Sequence, residues 1–352
     1  MSHKIWLMEG LSSQRDIING ITSAAKKHNY NVSIYASHRQ SRNEILSLAD
    51  HALIEPGDVN QRLKFILSTV EKYAIQAIHT GRHAHWFEAH RAAIEASGAR
   101  LTTGARDVAM LDLADDKIAF AHHMKSLNLP VVPSLRIDSP VQLRELIAGK
   151  PFGDLPLCVK PVTGIYGMGF WQFDESVSPM APFTHPDARR VKAEYYLQAL
   201  EAADSMEPLV LMPYLPGPEY SVDMLAENGK VLAAVARRKE GALQYLENRG
   251  EAFELALACA AAMGADGLIN VQTRNDASGK PLLLEINMRP SGGIGYTRFS
   301  GVNLPGLFAL RQLGLISQQQ VIDNARRDFT PATVRALSDV VAYNPVLSNQ
   351  VQ

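Results

Sequence analysis

The chain has 352 residues, a mass of 38.6 kDa and 46% hydrophobic residues, enough to bury two or three cores. Its 35 Lys and Arg against 36 Asp and Glu give a formal net charge of -1, which excludes the broad basic field of a non-specific nucleic-acid binder. No apolar run reaches the length of a membrane span and residues 1–10 lack a signal-peptide core, so a cytoplasmic protein with no membrane partner is expected.

The first hundred residues alternate strand and helix signals. Apolar runs at 4–8, 31–36, 51–54 and 74–78 read as strands, helical spacing at 14–28, 60–73 and 86–97 reads as helices, and a short run around Leu101 completes the unit. Such alternation argues for a parallel sheet with helices on both faces, an α/β domain over residues 1–107. The turn Glu9-Gly10-Leu11-Ser12-Ser13 lacks the glycine spacing of a dinucleotide fingerprint and gives no support to a nicotinamide or flavin. Ligands of such sheets bind at the carboxyl ends of the strands, where His79, Thr80, Gly81, Arg82, His83 and His85 follow the fourth strand. That loop is either an anionic-substrate site using Arg82 and His83 or a solvated polar loop.

A second region is expected over 108–206. Asp115, Asp116 and Lys117 open a helix that runs to about residue 127. In LCVKPVTGIYGMGFW, residues 157–171, a strand carries Lys160 and is followed by Gly164, Gly167 and Gly169 before a returning strand. Glycines admit phosphate oxygens to backbone N–H groups and the ammonium supplies charge; the plain alternative is a glycine hairpin beside a surface lysine. A polar loop at 174–186 and a helix at 187–203 follow.

The third region, 207–330, begins with LVLMPYLPGPEYSVDML: a strand, a Pro-Gly break, and a second strand with Glu219, Ser221 and Asp223 on one face. Backbone groups at Tyr214 and Leu215 can bond an adenine edge, and Glu219 can accept from ribose hydroxyls. Arg237, Arg238 and Lys239 form a charge run, solvated in part, with Arg237 a candidate for an anionic substrate. After an alanine-rich helix at 251–263, GLINVQTRNDASGKPLLLEINMRP reads as a hairpin, with Asn270 and Gln272 on one face of its first strand and Glu285, Asn287 and Arg289 on one face of its second. A carboxylate beside an amide oxygen suits a hard cation such as Mg2+, and Arg289 would face the same phosphates; alone, the pattern is also a strand end with a surface salt bridge. Arg298 is either a carboxylate partner or a helix cap, and 329–352 is expected to hold one helix and a loose end within a tail from 331. Cys158 and Cys259 have neither metal spacing nor a neighbouring base and read as core residues.

Taken together, Lys117, Lys160 with its glycine loop, GPEYSVD, NVQ and EINMRPSGG occur in an order that resembles the ATP-grasp superfamily, nearest to the carbamoyl-phosphate synthase type. The N-terminal unit resembles a pre-ATP-grasp domain, and ligases associated with bacterial tellurite-resistance gene clusters form a branch of similar size. The resemblance implies two α+β lobes clasping ATP behind a parallel-sheet domain. It implies Lys117 and Lys160 on the ATP phosphates, the loop of Gly164, Gly167 and Gly169 closing over them, Tyr214 and Leu215 at adenine, and Glu219 at ribose. Gln272, Glu285 and Asn287 would hold Mg2+ or Mn2+, and Arg289 would steady phosphoryl transfer. The implied activity is a carboxylate–amine ligase working through an acyl phosphate, with ATP, a small carboxylate and an amine as partners. A carbamate or small-carboxylate kinase is the alternative within the superfamily. Pro213, standing where many members carry an acid, speaks for a non-catalytic nucleotide-binding regulator, and Gln272 in place of a glutamate leaves one fewer negative charge at the metal. A homodimer stays open.

Overall fold

The computed structural model describes residues 2–10, 13–164, 167–337 and 340–341. The described residues of 1–111, 218–272 and 286–341 form one compact unit, and those of 112–217 with 273–285 form another. The units do not follow chain order, because two neighbouring strands late in the chain each begin in one and end in the other.

In the first unit, β1 (His3–Leu7), β2 (Val32–His38), β3 (His51–Ile54), β4 (Ala77–His79) and β5 (Arg100–Thr102) make a parallel sheet in the order β3-β2-β1-β4-β5. Every described strand of that expected α/β unit is present. β4 starts later than 74 because Ala74 takes a left-handed φ of 52° as the C-cap of helix Val59–Tyr73. The single helix expected at 86–97 is two, Ala84–Ala89 and Arg91–Ala96, because His90 leaves the helical region at φ -112° and ψ 6°. Leu11 and Ser12, in the turn after β1, lie outside the described residues. A two-residue strand, β6 (Gly104–Ala105), pairs with a later strand of the same unit.

The second unit is built on β7 (Leu135–Ile137), β8 (Leu157–Pro161), β9 (Trp171–Phe173), β10 (Arg190–Val191) and β11 (Leu209–Pro213), in the order β10-β9-β8-β11-β7. Its apolar residues close on Val159, Leu209, Leu211 and Leu143 on one side and on Cys158, Val210 and Met212 on the other. Cys158 is a core residue, as expected; burial pushes its thiol up to about 12. The helix expected at 187–203 is only Ala193–Glu201, since Pro186–Ala188 forms a tight turn and Arg189, at φ 49°, redirects the chain into β10. Pro182 and Pro186 start short turns within the expected polar loop.

The third sheet has the order β16-β15-β12-β13-β14-β17, with β12 (Glu219–Glu227), β13 (Lys230–Glu240), β14 (Leu243–Glu247), β15 (Ala265–Asn275), β16 (Pro281–Asn287) and β17 (Ala332–Arg335). Here the expectation for the tail needs correction: residues 332–335 are an edge strand on β14, pairing Ala332 with Leu246, while 342–352 lie outside the described residues. Two apolar clusters fill the first unit, one including Ile5, Ile18, Val235, Leu268 and Phe308 and the other Trp6, Ile66, Ile78 and Phe87; each such side chain stabilises by about 1.5–3 kcal/mol over its exposed state. Asn303 ties two of its helices together. It caps Leu304–Gln312 by accepting from Gly306 N at 3.0 Å and donates to Gly20 O, on Ser13–Lys27, at 2.7 Å. Among the described residues no helix is long and apolar enough to cross a membrane.

Candidate active site

Lys160 sits on β8, an inner strand between β9 and β11, where its backbone is paired with Val210 and its side chain cannot stray far. Its Nζ lies 3.4 Å from Oε2 of Glu285, and both side chains are largely buried. Lys117 opens the helix Lys117–Ser126, which Asp116 caps by accepting from the N–H groups of Ile118 and Ala119. Its ammonium donates to Val162 O at 3.1 Å and to Gly164 O at 3.4 Å, so it grips the point where β8 passes into the glycine loop. Burial pushes the Lys117 pKa down, the Glu285 carboxylate opposes that shift, and the Lys160 charge adds to it. The carboxylates of Asp115 and Asp116 oppose the shift as well. Gly164, Gly167 and Gly169 all hold positive φ, while Ile165 and Tyr166 lie outside the described residues. Arg189 donates to Gly167 O and fastens the far side of the loop.

At the expected nucleotide-base position, Tyr214 N donates to Pro156 O at 2.6 Å, its hydroxyl accepts from Arg274 at 3.1 Å, and the Arg274 guanidinium lies 4.9 Å over its ring. Tyr214 is thus a fixed aromatic plate, and its own N–H is already spent. Leu215 is buried in the core beneath it. Pro213 ends β11 opposite Leu157.

Gln272 is on β15, and Glu285 and Asn287 are on the neighbouring strand β16. Asn287 Oδ1 accepts from Arg289 at 3.0 Å, so the amide oxygen presents beside a guanidinium. Glu219, the expected ribose acceptor, forms a cross-strand ion pair with Lys239 directly opposite on β13.

Sequence reasoning missed a buried polar network in the first unit. Arg237 is no part of a solvated run: it is 4% exposed and donates to Asp223 at 2.8 Å, Gln244 at 2.7 Å, Ser221 at 3.1 Å and Ser291 at 2.8 Å. Asn270 closes the network by donating to Asp223 at 3.0 Å. Ser291 and Gly293 belong to the loop that follows Arg289, and a Cβ at Gly293 would lie 2.6 Å from the Arg237 guanidinium carbon, so only glycine lets the loop reach it. Arg238 pairs with Glu247 at 2.9 Å. The available signal was Asp223, a carboxylate set among Val222, Met224, Leu225 and Ala226.

Among the remaining candidates, Arg82 contacts Glu9 at 3.5 Å and His83 stands beside it in the left-handed region at φ 61°. His79, expected in the polar loop, is instead the last residue of β4, fully buried against Phe308 with ring centroids 5.2 Å apart. Arg298 is exposed on the tight helix Ile294–Ser300, over the Phe299 ring. It is not brought to the network around Arg237. Among the described residues no group of three or more His, Cys, Asp or Glu forms a metal cage.

Residues 205–339 match the family described as ATP-grasp in the biosynthetic pathway with Ter operon. No curated protein gives a significant match. The fold is similar to that of an L-amino acid ligase from Bacillus licheniformis, with a TM-score of 0.62 at 15% identity over 94% of this chain and 79% of that one. It is similar as well to N5-carboxyaminoimidazole synthetase from Staphylococcus aureus complexed with ADP, with a TM-score of 0.62 at 12% identity over 89% and 77%. A third is the biotin carboxylase domain of the Hydrogenobacter thermophilus 2-oxoglutarate carboxylase with MgADP and bicarbonate, with a TM-score of 0.60 at 18% identity over 88% and 69%. The family match thus covers residues 205–339, and the likeness to these solved structures is one of fold.

Proposed function

We propose that the protein is an ATP- and Mg2+-dependent carboxylate–amine ligase that forms a C–N bond and releases ADP and phosphate. The observation that carries the reading is Lys160 paired with Glu285 and Lys117 bonded to the carbonyls at the root of a glycine loop. Lys160 meets one carboxylate and the Lys117 ammonium is bonded to carbonyls, which leaves positive charge for a polyphosphate to neutralise. The fold neighbours whose structures hold ADP or MgADP support nucleotide use.

The donors on β15 and β16 fit Mg2+. One carboxylate and the amide oxygens of Gln272 and Asn287 are hard oxygen ligands, and Mg2+ characteristically takes one or two carboxylates and completes its shell with water and phosphate. When bound, the ion would neutralise phosphate oxygens and orient the terminal phosphoryl group. Lys160 and Lys117 then hold phosphate oxygens in place, Arg289 takes up charge that develops on the transferred group, and the glycine loop supplies N–H donors and excludes water. Tyr214 and Leu215 are assigned to the base and Glu219 to the ribose.

The substrate carboxylate attacks the terminal phosphorus, ADP departs, and an acyl phosphate forms. The amine nitrogen then attacks the acyl carbon, phosphate leaves with the C–O bond electrons, and the amine gives up a proton. Protein nucleophiles are not required, which agrees with two buried thiols whose pKa values are raised by desolvation. The reading implies a cytoplasmic location. Incubation of the purified protein with ATP, Mg2+ and paired amino acids and dipeptides tests it: ADP and phosphate appear together with an amide. Phosphate retained on the acid would instead indicate a carboxylate kinase.

A further inference from the structure

The carboxyl ends of β1 to β4 deliver Glu9, Arg39, Glu55 and Arg82 to one edge of the parallel sheet. In the order β3-β2-β1-β4-β5 the chain reverses direction across β1, so the loops after β1 and β4 flank a switch point, the place where open parallel sheets hold ligands. Gly81 makes that approach close. With φ at +22°, a Cβ there would lie 2.6 Å from Gly10 Cα and 2.7 Å from Glu9 O.

Positive charge is in excess at this edge. Glu9 accepts from Arg39 through two nitrogens and from Arg82 at 3.5 Å, with His38 at 3.9 Å. The second carboxylate, Glu55, is spent on Ser37 Oγ and Glu9 N, both at 2.7 Å. Arg62, in the first turn of Val59–Tyr73, is 4% exposed, lies 5.1 Å over the Trp86 ring, and its Nε has no hydrogen-bond partner. A buried donor without an acceptor is costly unless something supplies one. Arg39 and Arg82 keep 35% and 42% of their side chains exposed, so the guanidinium groups are open to solvent where Glu9 is not. His83, beside Arg82, feels the charges of all three arginines. Gly10 and Gly81 also line a small cavity with Arg289 and Pro290.

We infer that this edge binds an oxyanion, the carboxylate or phosphate group of a substrate, between Arg39, Arg62 and Arg82, with Glu9 holding the first and last of these in place. Guanidinium forks match both groups, and three of them against the carboxylates of Glu9 and Glu55 leave one positive charge to be met. That the bound molecule is then ligated rests on the proposed activity; that an oxyanion binds does not.

The test is calorimetry on the full chain, with the nucleotide site filled by a non-hydrolysable ATP analogue and Mg2+, titrating inorganic phosphate and, separately, acetate. At least one is expected to bind with a millimolar or tighter dissociation constant, and Arg82→Gln to weaken it about tenfold or more. Arg39→Gln should behave alike, with melting curves confirming that both variants fold. Phosphate alone binding assigns a phosphorylated substrate, acetate alone a carboxylic acid, and both an unselective oxyanion site. Absence of binding to the wild type, or equal binding to Arg82→Gln, overturns the inference. Lys160→Gln separates the two readings: it should lose the analogue and keep the oxyanion, whereas a wild type that ignores the analogue but binds an Arg82-dependent oxyanion sinks only the ligase.

Discussion

The Lys160 ammonium stands 3.4 Å from the Glu285 carboxylate, with side-chain exposures of 12% and 21%. In so confined a place neither charge can be removed without stranding the other, and Lys117 lies within the field of the same carboxylate. Glu285→Gln keeps the shape and removes the negative charge from the metal edge. Turnover, read as ADP release, is expected to fall by about 10²–10³, the scale for losing one preorganised electrostatic group. Full activity in that variant is incompatible with Glu285 holding the metal.

Lys117 tests a different link. Because its ammonium binds the carbonyls of Val162 and Gly164, Lys117→Met should loosen the root of the glycine loop as well as remove a phosphate contact. Affinity for the ATP analogue should drop about tenfold or more, and amide exchange in 160–164 should quicken. A drop in affinity with unchanged exchange would restrict Lys117 to charge alone.

A third expectation concerns the buried network. Arg237 and Asp223 are 4% and 0% exposed at the side chain, so deleting one partner leaves a charge in the core. Arg237→Met is expected to cost about 3–5 kcal/mol in denaturant titration, and pairing it with Asp223→Leu should recover much of that loss. Additive losses in the double variant would show that the two side chains act independently.

The parallel sheet was legible because apolar runs and helical spacing alternate in the first hundred residues, and the site strands were legible because Lys160, Glu285 and Asn287 interrupt apolar runs. Arg237 was not. Three consecutive cations read as solvated in part, with Arg237 a candidate for an anionic substrate, and only the pairing of β12 with β13, which sets Ser221 opposite Arg237 and Asp223 one diagonal away, decides which of them turns inward. β17 escaped for a related reason: a four-residue edge strand takes its conformation from β14, not from its own periodicity. The switch-point arginines come from three separate stretches of chain, and nothing local marks Arg39 or Arg62 as neighbours of Arg82.

His79 gives the last prediction. It is fully buried against Phe308, neither ring nitrogen has a partner, and burial pushes its pKa from 6.5 down to about 4. The unfolded chain therefore takes up a proton near pH 6.5 while the folded one refuses it until about pH 4. Since the unfolded state binds more protons across that window, stability contributed by the neutral ring is complete above pH 6.5 and falls as the pH drops towards 4. The full loss amounts to about 3 kcal/mol. His79→Leu fills similar space without a titrating group, so its unfolding free energy should lose less than the wild type's between pH 6.5 and 4. Denaturant titrations of both proteins across that range decide the matter: parallel curves would mean that the ring is hydrated or charged in the folded protein, and a flatter variant curve that it is kept dry and neutral.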